Sequence, residues 1–245
     1  MILLCDTKTD DNQLIPSIGT GSKLSPFRIG VTCHALLETY VTVQRDPRCT
    51  TLLHIDSTHS IVKQRYPVFV FGVSDCRCKF FPIIYFCTSQ RTGVDVEWCI
   101  KFTKRIVWEK FLVSFSPAFV MSDADNAQYN ACKAALPGSK FLMCWFHVCQ
   151  NVKDLTQGKL EAVIIDMIFR DLNNLHYSRN EEEYLKRREN VLAAWRAASK
   201  FCVAFQKVAG HIIDQWILHP RFSHWQAFRT PPGYAATNNP LEQYH

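Results

Sequence analysis

The chain has 245 residues, with 28 Lys and Arg against 22 Asp and Glu, a net charge of +6, and 47% of it is apolar. That is room for one large domain, or one domain with an insertion, and enough apolar mass for a core, which excludes wholesale disorder. No apolar run reaches the roughly 20 residues of a membrane-spanning helix, and the mild basic excess permits an anionic partner such as DNA without demanding one.

The 11 cysteines are odd in number and scattered, with no CxxC pair. This usage points to an intracellular, reducing setting with buried thiols, not to a disulfide framework. The opening MILLCDTKTD has neither a basic lead nor a long apolar run, so no signal peptide is expected.

Residues 1–30 are polar and rich in Gly, Ser and Pro, and read as a loose lead-in. A first helix is expected over 35–43. TLLHID, 51–56, is a short apolar run that ends in a carboxylate. PVFVFGV and FFPIIYFC follow as two buried strands, and the polar SDCRCK between them predicts a hairpin. Pro82 interrupts the third run, which predicts an edge strand, because proline cannot complete a central ladder.

Trp98, Phe102 and Ile106 then recur at helical spacing behind Asp95 and Glu97. AFVM, 118–121, is a fourth strand. In SDADNAQYNACKAAL after it, Asp125 with Gln128 reads as a helix cap, and Ala127, Ala131, Ala134 and Ala135 as a small-residue stripe. FLMC, 141–144, is a fifth strand. The order β-β-β-α-β-α-β predicts an α/β fold on a mixed sheet, part antiparallel and part parallel.

From about 151 to 218 the pattern is helical throughout. Leu160, Val163, Ile164, Met167, Ile168 and Leu172 make one apolar stripe. Leu185, Leu192 and Trp195 make a second, and Phe201, Phe205, Val208 and Ile212 a third. Ser178 with Glu181 reads as a capping box, and EEEYLKRR as a solvated face with Glu182–Lys186 and Glu183–Arg187 pairs. HWQAFRTPPGYAA then connects to the terminal TNNPLEQYH.

Three acids stand out by position: Asp56 closes the first strand, Asp123 closes the fourth, and Glu242 begins a last helix. Ligands of open sheets sit at the carboxyl ends of parallel strands. Were the first and fourth strands neighbours, Asp56 and Asp123 would lie about one strand spacing apart, roughly 5 Å. That suits a pair of divalent cations about 3.5–4 Å apart, and hard oxygen ligands favour Mg²⁺ or Mn²⁺. An Asp at a strand end is also a common turn former or helix cap; Asp75 and Asp125 are read that way.

CWFH supplies a CxxH pair in Cys144 and His147. No second pair stands at zinc-finger spacing. The pair reads as a buried thiol and a hydrogen-bonded histidine where a strand meets a helix.

Taken together, HIDSTHSI, RYPVFVFGVSD with FFPIIYF, PAFVMSDADNAQYNACKAALPGSKFLMCWFHV and TNNPLEQYH resemble the Mutator-like element (MULE) transposase domain, a ribonuclease-H-like DDE family. The resemblance runs from about residue 52 to 245. It implies a five-stranded sheet in the order 3-2-1-4-5, flanked by helices, with a helical insertion before the last core helix. It divides the chain into a lead-in with one helix at 1–48, a catalytic core at 49–150, the insertion at 151–230 and the start of the final helix at 231–245. The family's catalytic, metal-holding acids fall on Asp56, Asp123 and Glu242, and its CxxH signature on Cys144 and His147, candidates to orient a ligand or touch DNA.

The implied activity is Mg²⁺- or Mn²⁺-dependent cleavage and strand transfer of DNA with two ions, in the nucleus, by a homo-oligomer acting on transposon ends and target. A competing reading is an inactive or domesticated relic that binds DNA or protein. An RNA-cleaving relative fits the acids but not the helical insertion. The short stretch after Pro240 carries barely one helical turn, which is unstable alone. Glu242 is therefore expected to be poorly fixed, and the chain reads as a fragment or a decayed copy.

Overall fold

The structure, a computed structural model, describes residues 1–58 and 61–238. It is a mixed α/β structure in two compact units: one spans Met1–Phe141, and the second begins at Leu142. Among the described residues no helix is long and apolar enough to cross a membrane.

The lead-in is not loose. It contributes β1 (Ile2–Leu4), a hairpin of β2 (Asp6–Asp10) and β3 (Gln13–Ser17), and β4 (Arg28–Thr32). The hairpin turns on Asp11 and Asn12, whose φ angles are +44° and +62°. Such left-handed pairs match the twist of two-residue hairpins, and Asp and Asn tolerate them. After α1 (His34–Arg45) come β5 (Leu52–Thr58), β6 (Val68–Ser74) and β7 (Phe80–Thr88), then α2 (Gly93–Phe111), β8 (Phe119–Ser122), α3 (Asn126–Ala135) and β9 (Lys140–Met143). The main sheet has seven strands, not five, in the order β1-β4-β7-β6-β5-β8-β9. The two extra strands are β1 and β4, which pair antiparallel with each other; β4 pairs antiparallel with β7.

That addition also overturns the edge position expected for the Pro82 strand, because β7 lies between β6 and β4. Proline is tolerated there for a local reason. The β4 ladder reaches only residues 85–88 of β7, so Pro82 stands beyond its end. On the other side Pro82 faces Gly72, next to an irregularity between Phe71 and Gly72. Gly72 itself admits no side chain: a Cβ there would lie 2.2 Å from the Phe80 ring and 2.6 Å from the Phe81 carbonyl oxygen.

Alternation along β5 puts Leu53 and Ile55 into a core with Val120, Leu37, Phe86 and Ile100. His54 and Asp56 take the other face. His54 is fully buried, and its Nε2 lies 2.8 Å from the Ser74 Oγ of the neighbouring strand. α1 and α2 pack on β7 and on each other, and α3 packs on α2. Of the alanine stripe in α3, Ala131 is buried but Ala134 is exposed; Gln128 and Cys132 fill the buried face instead.

The second unit holds α4 (Trp145–Thr156), α5 (Ala162–His176), α6 (Glu181–Ser199) and α7 (Val203–Ile212), which runs on as a wider π turn over Ile213–Ile217. Its core takes Ile168 and Leu172 from the first stripe, Leu192 and Trp195 from the second, and Phe205, Val208 and Ile212 from the third. Val163, Leu185 and Phe201 lie at the stripe margins and are exposed. The cap of α6 is Asn180, which accepts from the Glu183 N–H at 2.9 Å, not Ser178, whose hydroxyl donates back to the Asn174 carbonyl. Glu183 pairs with Arg187 at 2.7 Å as the spacing predicts, and with Arg179 as well.

Two buried polar contacts organise this unit. The Trp195 indole N–H donates to Asp171 at 2.9 Å. His176 stacks on Trp145, with ring centres 4.4 Å apart and planes 8° from parallel, and its Nδ1–H donates to the Trp225 carbonyl at 2.7 Å.

Burial drives the His176 imidazole down to about 4, and the carbonyl contact offsets this only in part. An unfolded histidine titrates near 6.5, so the unfolded chain binds the extra proton between those values. Stability carried by neutral His176 is therefore complete above about pH 6.5 and is lost as pH falls toward 4, by roughly 3 kcal/mol. Urea unfolding across this window should show the wild type losing that much more than a His176→Gln variant; parallel curves would contradict the account.

Candidate functional site

The geometry of the acids follows from one strand pairing. β5 and β8 run parallel, with Leu52 opposite Phe119, Leu53 opposite Val120 and His54 opposite Met121. Carried two residues further, the same register sets Asp123 beside Asp56. Adjacent strands are about 4.8 Å apart, so the two carboxylates share the carboxyl end of a parallel pair, the usual seat of ligands in such sheets.

The two acids are held differently. Asp56 lies within β5, half-buried, and its Oδ1 accepts from the Ser57 N–H at 2.8 Å. Asp123 lies one residue past β8, with its side chain 17% exposed. Its Oδ2 pairs with the Arg91 guanidinium. Its Oδ1 is buried and has no hydrogen-bond partner among the described residues, and the same holds for the Ser57 Oγ. A buried carboxylate oxygen without a donor is costly, and a bound cation would satisfy it. The Asp123 charge is felt nearby: burial pushes the Cys132 thiol up to about 12, and Asp123 adds to the effect.

Hydrogen bonds tie together the scaffold around the pair. Asp125 caps α3, accepting from the Gln128 N–H at 2.9 Å. The buried Gln128 side chain donates to the Ile55 carbonyl at 3.2 Å, tying α3 to the strand that carries Asp56. Asp75 serves the β6–β7 turn, accepting from the N–H groups of Arg77 and Lys79, each at 2.9 Å. These two acids are the turn and cap residues that their positions predict.

Glu242 lies outside the described residues. Among the described residues no three His, Cys, Asp or Glu side chains converge to hold an ion. Asp56 and Asp123 still fit a hard cation, as two adjacent carboxylates with one oxygen lacking a donor.

Cys144 and His147 belong to the second unit. Cys144 is fully buried at the N-terminus of α4, and its sulfur accepts from the Asn238 N–H at 3.1 Å. The Nδ1 of His147 is buried without a partner among the described residues, so the hydrogen-bonded histidine of the sequence reading is not seen at that atom. Cys144 is the buried thiol that its position predicts.

Arg91 is the residue that reading from sequence misses. Its signal is faint: QRTGVD places an arginine just before the Thr92–Asp95 capping box of α2.

Residues 52–151 match the MULE transposase domain as a family. That match supports reading the segment as a MULE transposase domain. The match covers about two fifths of the chain, from the start of β5 into α4, and includes Asp56, Asp123, Cys144 and His147. No curated protein matches the sequence. A transposase domain has DNA as its partner in general terms, and the matched segment carries the two acids, Asp56 and Asp123.

The neighbouring acids Asp123 and Asp125 should separate cleanly by mutation. Asp125→Ala removes the α3 cap and should cost about 1 kcal/mol. Asp123→Asn removes only a partly exposed ion pair and should cost less, under about 1 kcal/mol. Urea unfolding of the two variants checks this, and the reverse order of destabilisation would contradict it.

Proposed function

We propose that the chain is the catalytic portion of a DDE-type transposase, which cleaves and joins DNA strands with Mg²⁺ or Mn²⁺. The observation that carries the proposal is the register of β5 and β8, which, carried two residues on, supports Asp56 and Asp123 as neighbours. The run β7-β6-β5-β8-β9 within the sheet supports a ribonuclease-H-like core, with β1 and β4 added at one edge. The helical second unit then corresponds to an insertion ahead of the last acid.

Asp56, Asp123 and Glu242 would hold two ions between them. When bound, such ions make a water or a 3′-hydroxyl a better nucleophile and stabilise the leaving 3′-oxygen. The chain's own residues supply what the ions need. Asp56 and Asp123 provide hard anionic oxygens on adjacent strand ends. The Gln128–Ile55 bond ties β5 to the helix that follows Asp123, and the His54–Ser74 contact ties β5 to β6, so little reorganisation is needed as charge develops. The net positive charge assists approach to DNA. Nuclear location and assembly on paired DNA ends belong to the same proposal.

Nicking of supercoiled DNA in Mg²⁺ tests the reading. Asp56→Asn should lower the rate at least about 100-fold with an unchanged circular dichroism spectrum. A variant as active as the wild type would remove the acids from the mechanism. A folded wild type that binds DNA without nicking it would point to a non-catalytic binding role.

A further inference from the structure

Arg91 occupies one oxygen of a proposed metal-binding acid, and the structure builds its position with care. Its side chain is 34% exposed and pairs with Asp123 Oδ2. On its C-terminal side Thr92 caps α2 through a reciprocal box: Asp95 accepts from the Thr92 N–H at 2.9 Å and from its hydroxyl at 2.6 Å. Asp95 is itself fully buried and paired with the Arg28 Nε at 2.9 Å. On the N-terminal side the Gln90 carbonyl accepts from the Thr88 hydroxyl at 2.5 Å, and the Gln90 side chain donates to the Ser22 carbonyl at 3.0 Å. Gly93 lies so close to the start of α3 that an added Cβ would sit 3.2 Å from the Ala127 carbonyl oxygen. Arg91 is thus anchored on both sides, and the segment is pressed against the helix that follows Asp123.

An arginine so fixed is not a wandering surface charge. Its guanidinium supplies positive charge at the carboxylate where a divalent cation would supply it. Both cannot neutralise Asp123 fully, because the oxygen that Arg91 holds is withdrawn from the cation. We propose that Arg91 is a positioning residue that competes with the divalent cation for Asp123 and sets the cation concentration at which the acidic pair fills. The inference rests on the reading of Asp56 and Asp123 as metal-holding acids. With no cation bound, the Arg91–Asp123 pair keeps Asp123 oriented and lowers the repulsion between the two carboxylates. Cation binding requires the guanidinium to yield Oδ2.

Calorimetric titration of Mn²⁺ into the full chain tests this, with the variants Arg91→Ala, Arg91→Lys and Asp123→Asn. Arg91→Ala should bind Mn²⁺ about fivefold tighter than the wild type, the scale set by losing one partly exposed ion pair. Arg91→Lys keeps the positive charge and should bind as the wild type does. Asp123→Asn should lose binding. Mn²⁺ binding by Arg91→Ala alone would be the same result in stronger form. If Asp123→Asn loses binding while Arg91→Ala binds no tighter than the wild type, or if Arg91→Lys gains as much as Arg91→Ala, competition by charge is overturned and the metal site stands. If Asp123→Asn binds as well as the wild type, or if no protein binds, the metal reading falls and the role of Arg91 falls with it.

Discussion

The parallel pairing of β5 with β8 is the constraint on which the site depends. Two acids far apart in sequence are set beside one another because Asp56 lies within β5, Asp123 lies one residue past β8, and the two strands are in register. A shift of one residue would move Asp123 away from Asp56 and turn the flanking apolar residues out of the core. The core therefore enforces the register: Leu53 and Val120 are buried together on one face, and the acids stand a few residues beyond them. Gln128 extends this control by bonding the strand carbonyl beside Asp56.

The tight hold on this region is electrostatic as well as steric. Asp123 carries a buried oxygen without a donor and a second oxygen held by Arg91. Two carboxylates one strand apart repel one another, and a nearby cation of some kind is the physical remedy. Asp75 and Asp125 are acids of the same kind a few residues away, but turn and cap N–H groups satisfy them. That contrast in hydrogen bonding, not residue type, separates Asp123 from these turn and cap acids.

Much of this was legible in the sequence. The apolar runs of β5 to β9 and the helical stripes mark elements that bury one face, and periodicity records burial directly. The strands of the first 32 residues were not legible, because β2 is polar and exposed throughout and β1, β3 and β4 are only three to five residues long, too short to show a clear alternation. The Pro82 strand misled because the general cost of proline applies only where a ladder bond is lost, and here β4 stops short of it. Stripe margins such as Val163 and Phe201 cannot be told from core positions until the packing partners are known. The nearness of Asp56 to Asp123 was legible from the expectation that their strands are neighbours, which the β5–β8 pairing bears out. Arg91 was not, since it meets Asp123 through folding and not through spacing.

The central claim is that one cation-binding locus is formed jointly by Asp56 and Asp123. Paramagnetic broadening by Mn²⁺ tests it most directly, read at the backbone amides of Ser57 and Ala124 in the isotope-labelled chain. The account predicts that substoichiometric Mn²⁺ broadens both amides together, at one apparent affinity. Broadening of only one amide, or of neither while other sites respond, would contradict it.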